Sequence, residues 1–341
     1  MSDINIAIVG AGMIARYHAE AIRSTPGARL VAVHRADTQR ADETAAQFGV
    51  PCETDYDALL ARADVDLICI CTPSGLHAQQ AIAAARAGKH VLVEKPLALT
   101  LEDADAVIAV CRDAGVQLGV ALQRRTDPIF RAVRAAVEDV RMGRLVLGSV
   151  HIPYQRTQQY YESADWRGTW ALDGGGALMN QGIHLVDLLL WYMGDLVEVT
   201  ARADTLAHNI EVEDCLVATL RFANGALGSI AATTDAAPGF PHRVEVYGDR
   251  GGVQLEGEGV ARWGVAGDAP DTAQAPASAG VGASPGGISA EGHKRIMADM
   301  VEAIRNNRPP LVPGEEGRRS LEAVLAIYAA ARSGQAVAVK G

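Results

Sequence analysis

Long apolar runs, dense cysteine and clustered basic residues are all missing from this 341-residue sequence, and each absence excludes a class of protein. No run approaches the roughly 18 apolar residues of a membrane helix, so we predict no membrane partner. The net charge is -10 and basic residues cluster only in pairs, so we predict no nucleic-acid partner. Five scattered cysteines favour reduced thiols and a cytoplasmic location over a disulfide scaffold.

The first 120 residues alternate short apolar runs with helical stretches. The apolar runs predict strands at Ile4–Val9, Leu30–Val33, Leu67–Cys71, His90–Val93 and Gln117–Val120. The stretches between them predict helices at Met13–Ser24, Gln39–Phe48, Leu76–Ala87 and Leu101–Ala114. Short strands separated by helices are typical of an α/β Rossmann domain with a doubly wound parallel sheet, whose ligands bind beyond the carboxyl ends of the strands.

A glycine-rich turn joins the first predicted strand to the first predicted helix. Its sequence is Gly10-Ala11-Gly12-Met13-Ile14-Ala15, the Gly-x-Gly-x-x-Ala spacing of a dinucleotide-binding turn. The first glycine permits the tight turn, and the second lets a pyrophosphate approach the backbone at the helix start. We therefore predict that Gly10, Gly12, Met13 and Ile14 bind a dinucleotide cofactor.

The end of the second predicted strand bears on which dinucleotide binds. An Asp or Glu normally stands there to bind the ribose 2′-hydroxyl of NAD, but this sequence has His34-Arg35. A guanidinium suits the oxygens of the 2′-phosphate of NADP. We therefore favour NADP, with contacts from His34, Arg35 and Thr38. NAD stays open, because Arg35 stacked on the adenine would accommodate either cofactor.

Two further predicted strands end in polar segments, Thr72-Pro73-Ser74-Gly75-Leu76-His77 and Glu94-Lys95-Pro96. Both segments lie on the ligand edge of the predicted sheet, where a bound cofactor partly desolvates the lysine. The residues of this edge that we expect to contact the cofactor are Thr72, Pro73, Ser74, His77, Glu94, Lys95 and, beyond the last strand, Gln123.

The pattern changes after about residue 125. Helices at Pro128–Val140 and Ala177–Met193 are predicted among strand-like segments that short turns join, as in an α+β domain with a large, mostly antiparallel open sheet. We predict a Rossmann NAD(P)-binding domain over residues 1–122 and an α+β domain for substrate binding and oligomerisation over 123–313. We expect the C-terminal helix and tail, residues 314–341, to pack back on the Rossmann domain.

One segment of the second domain carries most of its chemistry. Gly174-Gly175-Gly176 leads into the predicted helix that holds Asn180, His184 and Asp187, and on a helix these three side chains lie near one face. A lone helical histidine is more often a core residue, but this grouping beside glycines favours catalysis by His184. The sequence shows no closely spaced Cys/His ligand set, so we predict no metal.

Taken together, these motifs resemble the glucose-fructose oxidoreductase / inositol dehydrogenase / rhizopine-catabolism (GFO/IDH/MocA) family over nearly the whole chain. The resemblance rests on Gly10-x-Gly12-x-x-Ala15, Glu94-Lys95-Pro96, and Gly174-Gly175-Gly176 through Gly182-x-His184-x-x-Asp187. It implies a homodimer or homotetramer formed through the C-terminal sheet. It also implies that Lys95 contacts the substrate hydroxyl and the nicotinamide, that His184 is the acid/base, and that Trp166-Arg167 contacts the nicotinamide end.

One position departs from the pattern of inositol dehydrogenase-like members, which usually have Asp where this chain has Asn180. The departure leaves the substrate class open, and the surrounding sequence resembles the branch that acts on sugars, anhydrosugars and sugar nucleotides. The residues expected to bind the substrate are Lys95, Arg124, Arg156, Tyr160, Tyr161, Asn180 and His184.

These inferences predict an NAD(P)-dependent dehydrogenase that oxidises a ring secondary alcohol of a sugar, anhydrosugar or inositol to a ketone by hydride transfer to nicotinamide C4. His184 would take the hydroxyl proton, and the Lys95 ammonium would stabilise the developing alkoxide. Three alternatives stay open: an NADPH-dependent keto-sugar reductase, an oxidoreductase with a tightly held cofactor, and a non-catalytic cofactor-sensing regulator. Retention of both Lys95 and His184 argues against the regulator.

Overall fold

The computed structural model describes residues 3–267, 282 and 290–339. The chain divides into two compact units, Met1–Gln123 with Ser289–Arg318, and Arg124–Ile288 with Arg319–Gly341. Within the described ranges, no helix combines the length and the apolar character needed to cross a membrane.

Strands and helices alternate in the first unit, whereas the second unit consists mainly of strands. The strands of the first unit are β1 (Ile4–Val9), β2 (Ala28–His34), β3 (Cys52–Glu53), β4 (Leu67–Ile70), β5 (His90–Val93) and β6 (Leu118–Val120). Those of the second are β7 (Leu145–Pro153), β8 (Leu196–Asp204), β9 (Cys215–Phe222), β10 (Leu227–Thr233), β11 (Arg243–Gly248), β12 (Gly252–Glu256), β13 (Gly259–Gly264) and β14 (Val337–Ala338). The helices are α1 (Met13–Ser24), α2 (Ala41–Phe48), α3 (Tyr56–Leu60), α4 (His77–Arg86), α5 (Leu101–Asp113), α6 (Pro128–Glu138), α7 (Gln158–Glu162), α8 (Ile183–Met193), α9 (Glu291–Arg305) and α10 (Gly314–Ser333).

The first sheet has the strand order β3-β2-β1-β4-β5-β6, and its neighbouring strands pair in parallel. Every residue of β4 is buried, as expected of a strand covered on both faces. The predicted Rossmann-type sheet is therefore confirmed, with the two-residue β3 added at the edge beyond β2.

The second sheet has the order β13-β12-β11-β7-β10-β9-β8-β14 and is antiparallel except for the parallel pair of β7 and β10. Side chains of β9 alternate: Leu216 and Ala218 are buried, whereas Val217 between them is 54% exposed. One face of the sheet therefore covers the core and the other points outward. The predicted open, mostly antiparallel sheet is confirmed.

Helix α8 packs on the buried face of this sheet at a glycine. A Cβ on Gly148 of β7 would lie 2.8 Å from Cγ of Met193 and 2.9 Å from Cδ1 of Leu189. Only a residue without a side chain lets the helix approach so closely. This packing anchors the helix that begins at Ile183, next to His184.

The limits of the two units differ from the domain limits predicted from the sequence. Helix α9, expected in the second domain, belongs to the first unit, because Met297 and Met300 join its apolar core together with Ile22 of α1. Of residues 314–341, which were expected to pack on the Rossmann domain, 314–318 belong to the first unit and 319–341 to the second, where β14 pairs with β8. The first difference buries apolar side chains, and the second pairs a strand edge. Local sequence patterns reveal neither.

Candidate active site

The carboxyl ends of the parallel strands share one edge of the first sheet. The residues predicted to bind the cofactor follow these ends: Gly10, Gly12, Met13 and Ile14 follow β1, Arg35 and Thr38 follow β2, Thr72, Pro73, Ser74 and His77 follow β4, Glu94 and Lys95 follow β5, and Gln123 follows β6. The structure thus gathers these residues at one edge, whereas Trp166 and Arg167 belong to the second unit.

The glycine turn after β1 fits a dinucleotide phosphate. Gly10 has a φ of +94°, and a Cβ there would lie 2.7 Å from the carbonyl oxygen of Cys71. Gly12 is the N-cap of α1, where no described side chain caps the helix and a Cβ would meet no described atom within 4 Å. The first N–H groups of α1 are therefore available to a pyrophosphate.

Arg35 directly follows β2, at the strand end where the ribose 2′-substituent of a bound dinucleotide is expected. His34 is buried beside the Tyr56 ring, at 5.4 Å between centroids, and burial lowers the pKa of His34, so the ring is neutral at pH 7. Arg35 is partly exposed, and its Nε lies 3.8 Å from Oδ2 of Asp37. Thr38 begins a short 3-10 turn that the Asp37 carboxylate caps.

His77 joins two of the strand ends. Its Nδ1 lies 2.7 Å from the carbonyl oxygen of Pro96, and its Nε2 lies 2.9 Å from that of Thr72. Both ring nitrogens thus face backbone carbonyl oxygens, to one of which the neutral ring donates, and Ser74 of the same loop is 8% exposed. The cofactor contacts expected of His77 and Ser74 stay predictions, while the geometry shows that His77 orders this edge.

Glu94 fixes the backbone of Lys95. The Nε2 of His18 lies 2.7 Å from Oε1 of Glu94, and the amide of Lys95 donates to Oε2 at 3.2 Å. Burial alone would raise the pKa of Glu94, but the hydrogen bond from His18 and the nearby ring of His293, whose Nε2 lies 3.7 Å from Oε1, hold it well below its ordinary value. Burial alone would lower the pKa of His18, but Cys69 and Glu94 raise it to about 10. A buried ion pair therefore supports the strand end that carries Lys95.

The same cluster contains possible metal ligands that lie far apart in the sequence. His18 with Cys69 and Cys71, and His18 with Glu94 and His293, each bring three ligand atoms within 4.8 Å of one another. The hydrogen bond between His18 and Glu94 already engages Nε2 of His18 and Oε1 of Glu94, two of the atoms that the second set would offer a metal. We therefore assign this second set to fixing the end of β5.

The helix predicted over Ala177–Met193 is two segments in the structure. A π-helical segment spans Ala177–Gly182, and α8 follows from Ile183. Such segments hold one extra residue per turn and are frequent at functional sites. Here the segment carries Asn180 and leads directly to His184, which is half-buried.

The Glu213 carboxylate holds the start of this segment. It accepts hydrogen bonds from the amides of Gly176 at 2.9 Å and Leu178 at 2.8 Å, and from the hydroxyl of Tyr328 at 2.8 Å. A Cβ on Gly175 would lie 2.2 Å from the Tyr328 hydroxyl, and one on Gly176 would lie 1.9 Å from the carbonyl oxygen of Glu213. The glycine run is therefore needed for this close approach. The sequence analysis missed both Glu213 and Tyr328.

Asn180 is oriented by residues that the sequence analysis did not single out. Its Nδ2 donates to Oδ1 of Asp173, whose Oδ2 accepts from the amide of Gly168 at 2.9 Å. Its Oδ1 accepts from Nε2 of Gln181 at 3.1 Å. The carboxylate of Asp173, which precedes the helical segment in the sequence, therefore hydrogen-bonds directly to Asn180.

Asp187 does not share the surroundings that its helical spacing suggests. Arg125 donates to both of its carboxylate oxygens at 2.7 Å, and the Ser320 hydroxyl donates to Oδ1 at 2.6 Å. Asp187 is 1% exposed and Arg125 is 3% exposed. This bidentate pair anchors α8, and the grouping of Asp187 with Asn180 and His184 stays a prediction.

Two arginines and a tyrosine lie beside Asn180. Arg167 Nη1 donates to the Tyr160 hydroxyl at 2.6 Å, and Arg156 Nη2 donates to Oε1 of Gln181 at 2.8 Å. Gln181 Nε2 in turn donates to the Tyr160 hydroxyl at 3.2 Å. The Tyr161 ring packs edge-on against that of Tyr160, at 5.2 Å between centroids, but Tyr161 is 6% exposed and its hydroxyl lies 2.9 Å from Oγ1 of Thr234.

A second histidine, missed in the sequence, accompanies His184. Arg124 Nη1 lies 3.3 Å from Nε2 of His242, and the Tyr154 hydroxyl lies 3.0 Å from Nδ1. Since Arg124 can only donate, Nε2 accepts, which leaves the proton on Nδ1. Burial, with help from the charges of Arg124 and His184, lowers the pKa of His242 well below its ordinary value, so His242 is neutral.

Known proteins match the chain in both units. The model of an oxidoreductase family with an NAD-binding Rossmann fold, GFO/IDH/MocA, matches residues 4–122, and that of the GFO/IDH/MocA C-terminal domain matches residues 130–254. The inositol 2-dehydrogenase of Rhizobium meliloti is 32% identical over 75% of this chain and 76% of its own. The 1,5-anhydro-D-fructose reductase of Ensifer adhaerens is 32% identical over 98% of both chains. The crystal structure of the WlbA dehydrogenase from Bordetella pertussis, in complex with NADH and UDP-GlcNAcA, is 34% identical over 99% of both chains, with a TM-score of 0.89.

Proposed function

This chain belongs to the GFO/IDH/MocA family of NAD(P)-dependent oxidoreductases acting on CH–OH donors, and from that membership we propose that it oxidises a ring secondary alcohol of a sugar, anhydrosugar or inositol to a ketone. The observation that carries the proposal is the set of polar groups around the turn that leads to His184. Asn180, Gln181 and Arg156 supply neutral and cationic hydrogen-bonding groups of the kind that the hydroxyls of a polyol need.

The proposed roles follow from the chemistry of alcohol oxidation. A secondary alcohol must lose its hydroxyl proton as it loses hydride from the same carbon. We assign the proton to the imidazole of His184, and the stabilisation of the developing alkoxide to the ammonium of Lys95. Glu94 contributes by holding the amide of Lys95. The bound nicotinamide supplies the hydride acceptor.

An absorbance assay for reduced nicotinamide tests this proposal. Purified protein is incubated with NAD or NADP and, in turn, with glucose, xylose, galactose, myo-inositol and levoglucosan. We expect cofactor reduction with at least one substrate of this type. In a parallel incubation with NADH or NADPH and keto-sugars, cofactor oxidation, without any reduction of NAD or NADP by an alcohol, would favour the reductase alternative. A regulator would bind cofactor and show neither reaction.

A sugar nucleotide is a second candidate substrate. The supporting observation is the WlbA structure, which is 34% identical over 99% of this chain and contains UDP-GlcNAcA. Adding UDP-linked sugars to the same assay separates the two candidates, because a sugar-nucleotide enzyme would oxidise the UDP-linked form and leave the free sugar unreacted.

We propose NADP as the preferred cofactor, supported by Arg35 at the end of β2. Arg35→Asp should shift the ratio of kcat/KM values about 10- to 100-fold from NADP toward NAD, since it replaces a cationic hydrogen-bond donor by a carboxylate, which has the same sign of charge as the 2′-phosphate. Arg40→Gln is the matched control, because the Arg40 guanidinium is held by Glu43 at 2.8 and 3.0 Å. An unchanged ratio in Arg35→Asp would refute the 2′-phosphate role.

We also propose a cytoplasmic homodimer or homotetramer. The five free cysteines support the location, and the outward face of the second sheet, which includes Val217, supports the assembly. Val217→Asp should shift the mass measured by light scattering toward that of one chain. Leu206→Asp, at a residue 67% exposed and outside the strands, is the control and should leave the mass unchanged. A Val217→Asp protein with the parental mass would contradict this interface.

A further inference from the structure

A pair of thiols lies buried in the core of the first unit. Cys69 is in β4 and Cys71 directly follows that strand, so their side chains point to the same side of the sheet. The two sulfur atoms lie 3.9 Å apart, Cys69 is fully buried and Cys71 is 6% exposed. Both are free thiols, and the proposed hydride transfer uses neither.

His18 of α1 completes a set of three ligand atoms with this pair. It reaches the cysteines because α1 packs on the first sheet, with Ala15 and Ala19 in the same apolar core as Cys69. One ring nitrogen of His18 and the two sulfur atoms all lie within 4.8 Å of one another. The ring is fully buried, and its Nδ1 has no hydrogen-bond partner among the described residues. A buried nitrogen that makes no hydrogen bond is costly, and a ligand that engages it removes that cost.

Glu94 orients the His18 ring in the way that is usual for a metal-bound histidine. Its Oε1 lies 2.7 Å from Nε2 of His18. Histidines that bind metals commonly donate their second ring N–H to a carboxylate, which fixes the tautomer of the ring. Because Glu94 engages Nε2, the nitrogen that remains for a metal is Nδ1, the one without a partner.

The separation of the two sulfur atoms matches one class of metal. Two zinc–sulfur bonds of about 2.3 Å that meet at the tetrahedral angle place their sulfurs about 3.8 Å apart. The sulfurs of Cys69 and Cys71 are 3.9 Å apart before any adjustment. Thiolate and imidazole ligands select zinc and other soft cations, whereas Mg²⁺ and Ca²⁺ prefer oxygen ligands.

We infer that His18, Cys69 and Cys71 form a binding site for a soft cation such as Zn²⁺, through Nδ1 and the two sulfur atoms, with Glu94 as the orienting carboxylate. Three protein ligands leave the fourth position of a tetrahedral ion to a water molecule. Binding releases to solvent the protons that the ligand atoms still hold. The inference replaces the sequence-based expectation of no metal, which considered only ligands closely spaced in the chain. It does not depend on the proposed dehydrogenase function.

The site lies next to the glycine turn that is predicted to bind the dinucleotide. The amide of Cys71 donates to the carbonyl oxygen of Val9 at 2.7 Å, and a Cβ on Gly10 would lie 2.7 Å from the carbonyl oxygen of Cys71. A cation held by Cys71 would therefore fix the backbone against which the glycine turn packs. Its role would be to support this turn, with no part in hydride transfer.

Metal titration of the full chain tests the site without requiring turnover. The protein is stripped with a chelator, kept reduced by a phosphine and titrated with Cd²⁺ as a spectroscopic substitute for Zn²⁺. We expect about one Cd²⁺ per chain, with the ultraviolet charge-transfer absorbance of sulfur-to-metal bonds. Zn²⁺ should compete for the site and raise the melting temperature, whereas Mg²⁺ should do neither.

Cysteine variants locate the ligands. A triple variant with serine at Cys52, Cys111 and Cys215 keeps only the two proposed ligands among the five cysteines, and it should bind Cd²⁺ as the parent does. Cys69→Ser and Cys71→Ser should each weaken binding more than about 100-fold, beyond the loss that is typical of an orienting group. Cys111→Ser, at a buried cysteine of α5, is the matched control and should keep the parental affinity.

Glu94→Gln should weaken Cd²⁺ binding about 10- to 100-fold, the usual effect of removing an orienting carboxylate. Absence of the sulfur absorbance in the parent and in the triple variant would overturn the site. Unchanged affinity in folded Cys69→Ser would do the same, as would binding without the absorbance, which indicates adventitious sites on exposed carboxylates and histidines. None of these results bears on the dehydrogenase assay, so the two proposals fail separately.

Discussion

Replacing His184 with alanine should lower kcat by about 10²- to 10⁴-fold, the usual contribution of a positioned general base. The alcohol would then have to lose its proton to water. Cofactor affinity should change little, because the glycine turn and the other predicted cofactor residues except Trp166 and Arg167 belong to the first unit. Steady-state kinetics give the loss of kcat, and calorimetry gives the cofactor affinity.

Two further measurements separate catalysis by His184 from support of the helix. Added imidazole should restore part of the activity of His184→Ala, as it would for a missing proton acceptor but not for a distorted helix. His151→Ala, at a partly exposed histidine of β7, is the control and should keep parental kcat. A His184→Ala enzyme within about threefold of the parental kcat would remove the residue from the mechanism.

Lys95→Ala should lower kcat/KM by about 10²- to 10³-fold, the typical loss when one preorganised donor to a developing oxyanion is removed. The half-buried position of Lys95 after β5 makes its ammonium more effective than it would be in water. Lys95→Arg should retain part of the activity, since it keeps the charge but changes the donor geometry. Kinetics across a substrate series measure both losses.

Lys294→Ala is the control for this second experiment. Lys294 forms ion pairs with Glu20 at 3.2 Å and Glu291 at 3.0 Å, so its charge has a partner other than the substrate. Added methylammonium should partly rescue Lys95→Ala. Full activity in Lys95→Ala, with the melting temperature unchanged, would rule out the proposed alkoxide stabilisation.

Much of the first unit could be predicted from the sequence because its information is local. Strands β1 and β5 are apolar runs bounded by polar or glycine-rich turns, and the turn at Gly10 has a spacing that phosphate binding requires. The short elements β3 and α3 were missed, since two strand residues and five helical residues carry too little periodicity.

The second unit was harder to predict because its contacts are distant in the chain. Glu213 reaches Gly176 across 37 residues, and Tyr328 reaches Glu213 across 115. His242 directly precedes β11, a strand whose register depends on its neighbours in the sheet. The ion pair of Asp187 could not be predicted from its helical spacing, because its partner Arg125 lies 62 residues earlier in the chain.

The π-helical turn at Ala177–Gly182 has a consequence for comparing this chain with its relatives. Removing one residue from such a turn converts it to ordinary α-helix, and it rotates whatever precedes the turn by about 100° relative to whatever follows it. Two chains whose alignment has a one-residue gap at this point therefore differ in the direction of the residue equivalent to Asn180 relative to the residue equivalent to His184. Residues aligned across such a gap are equivalent in sequence, but their side chains point in different directions. A substrate class inferred from identical residues across the gap would therefore rest on residues that are not structurally equivalent.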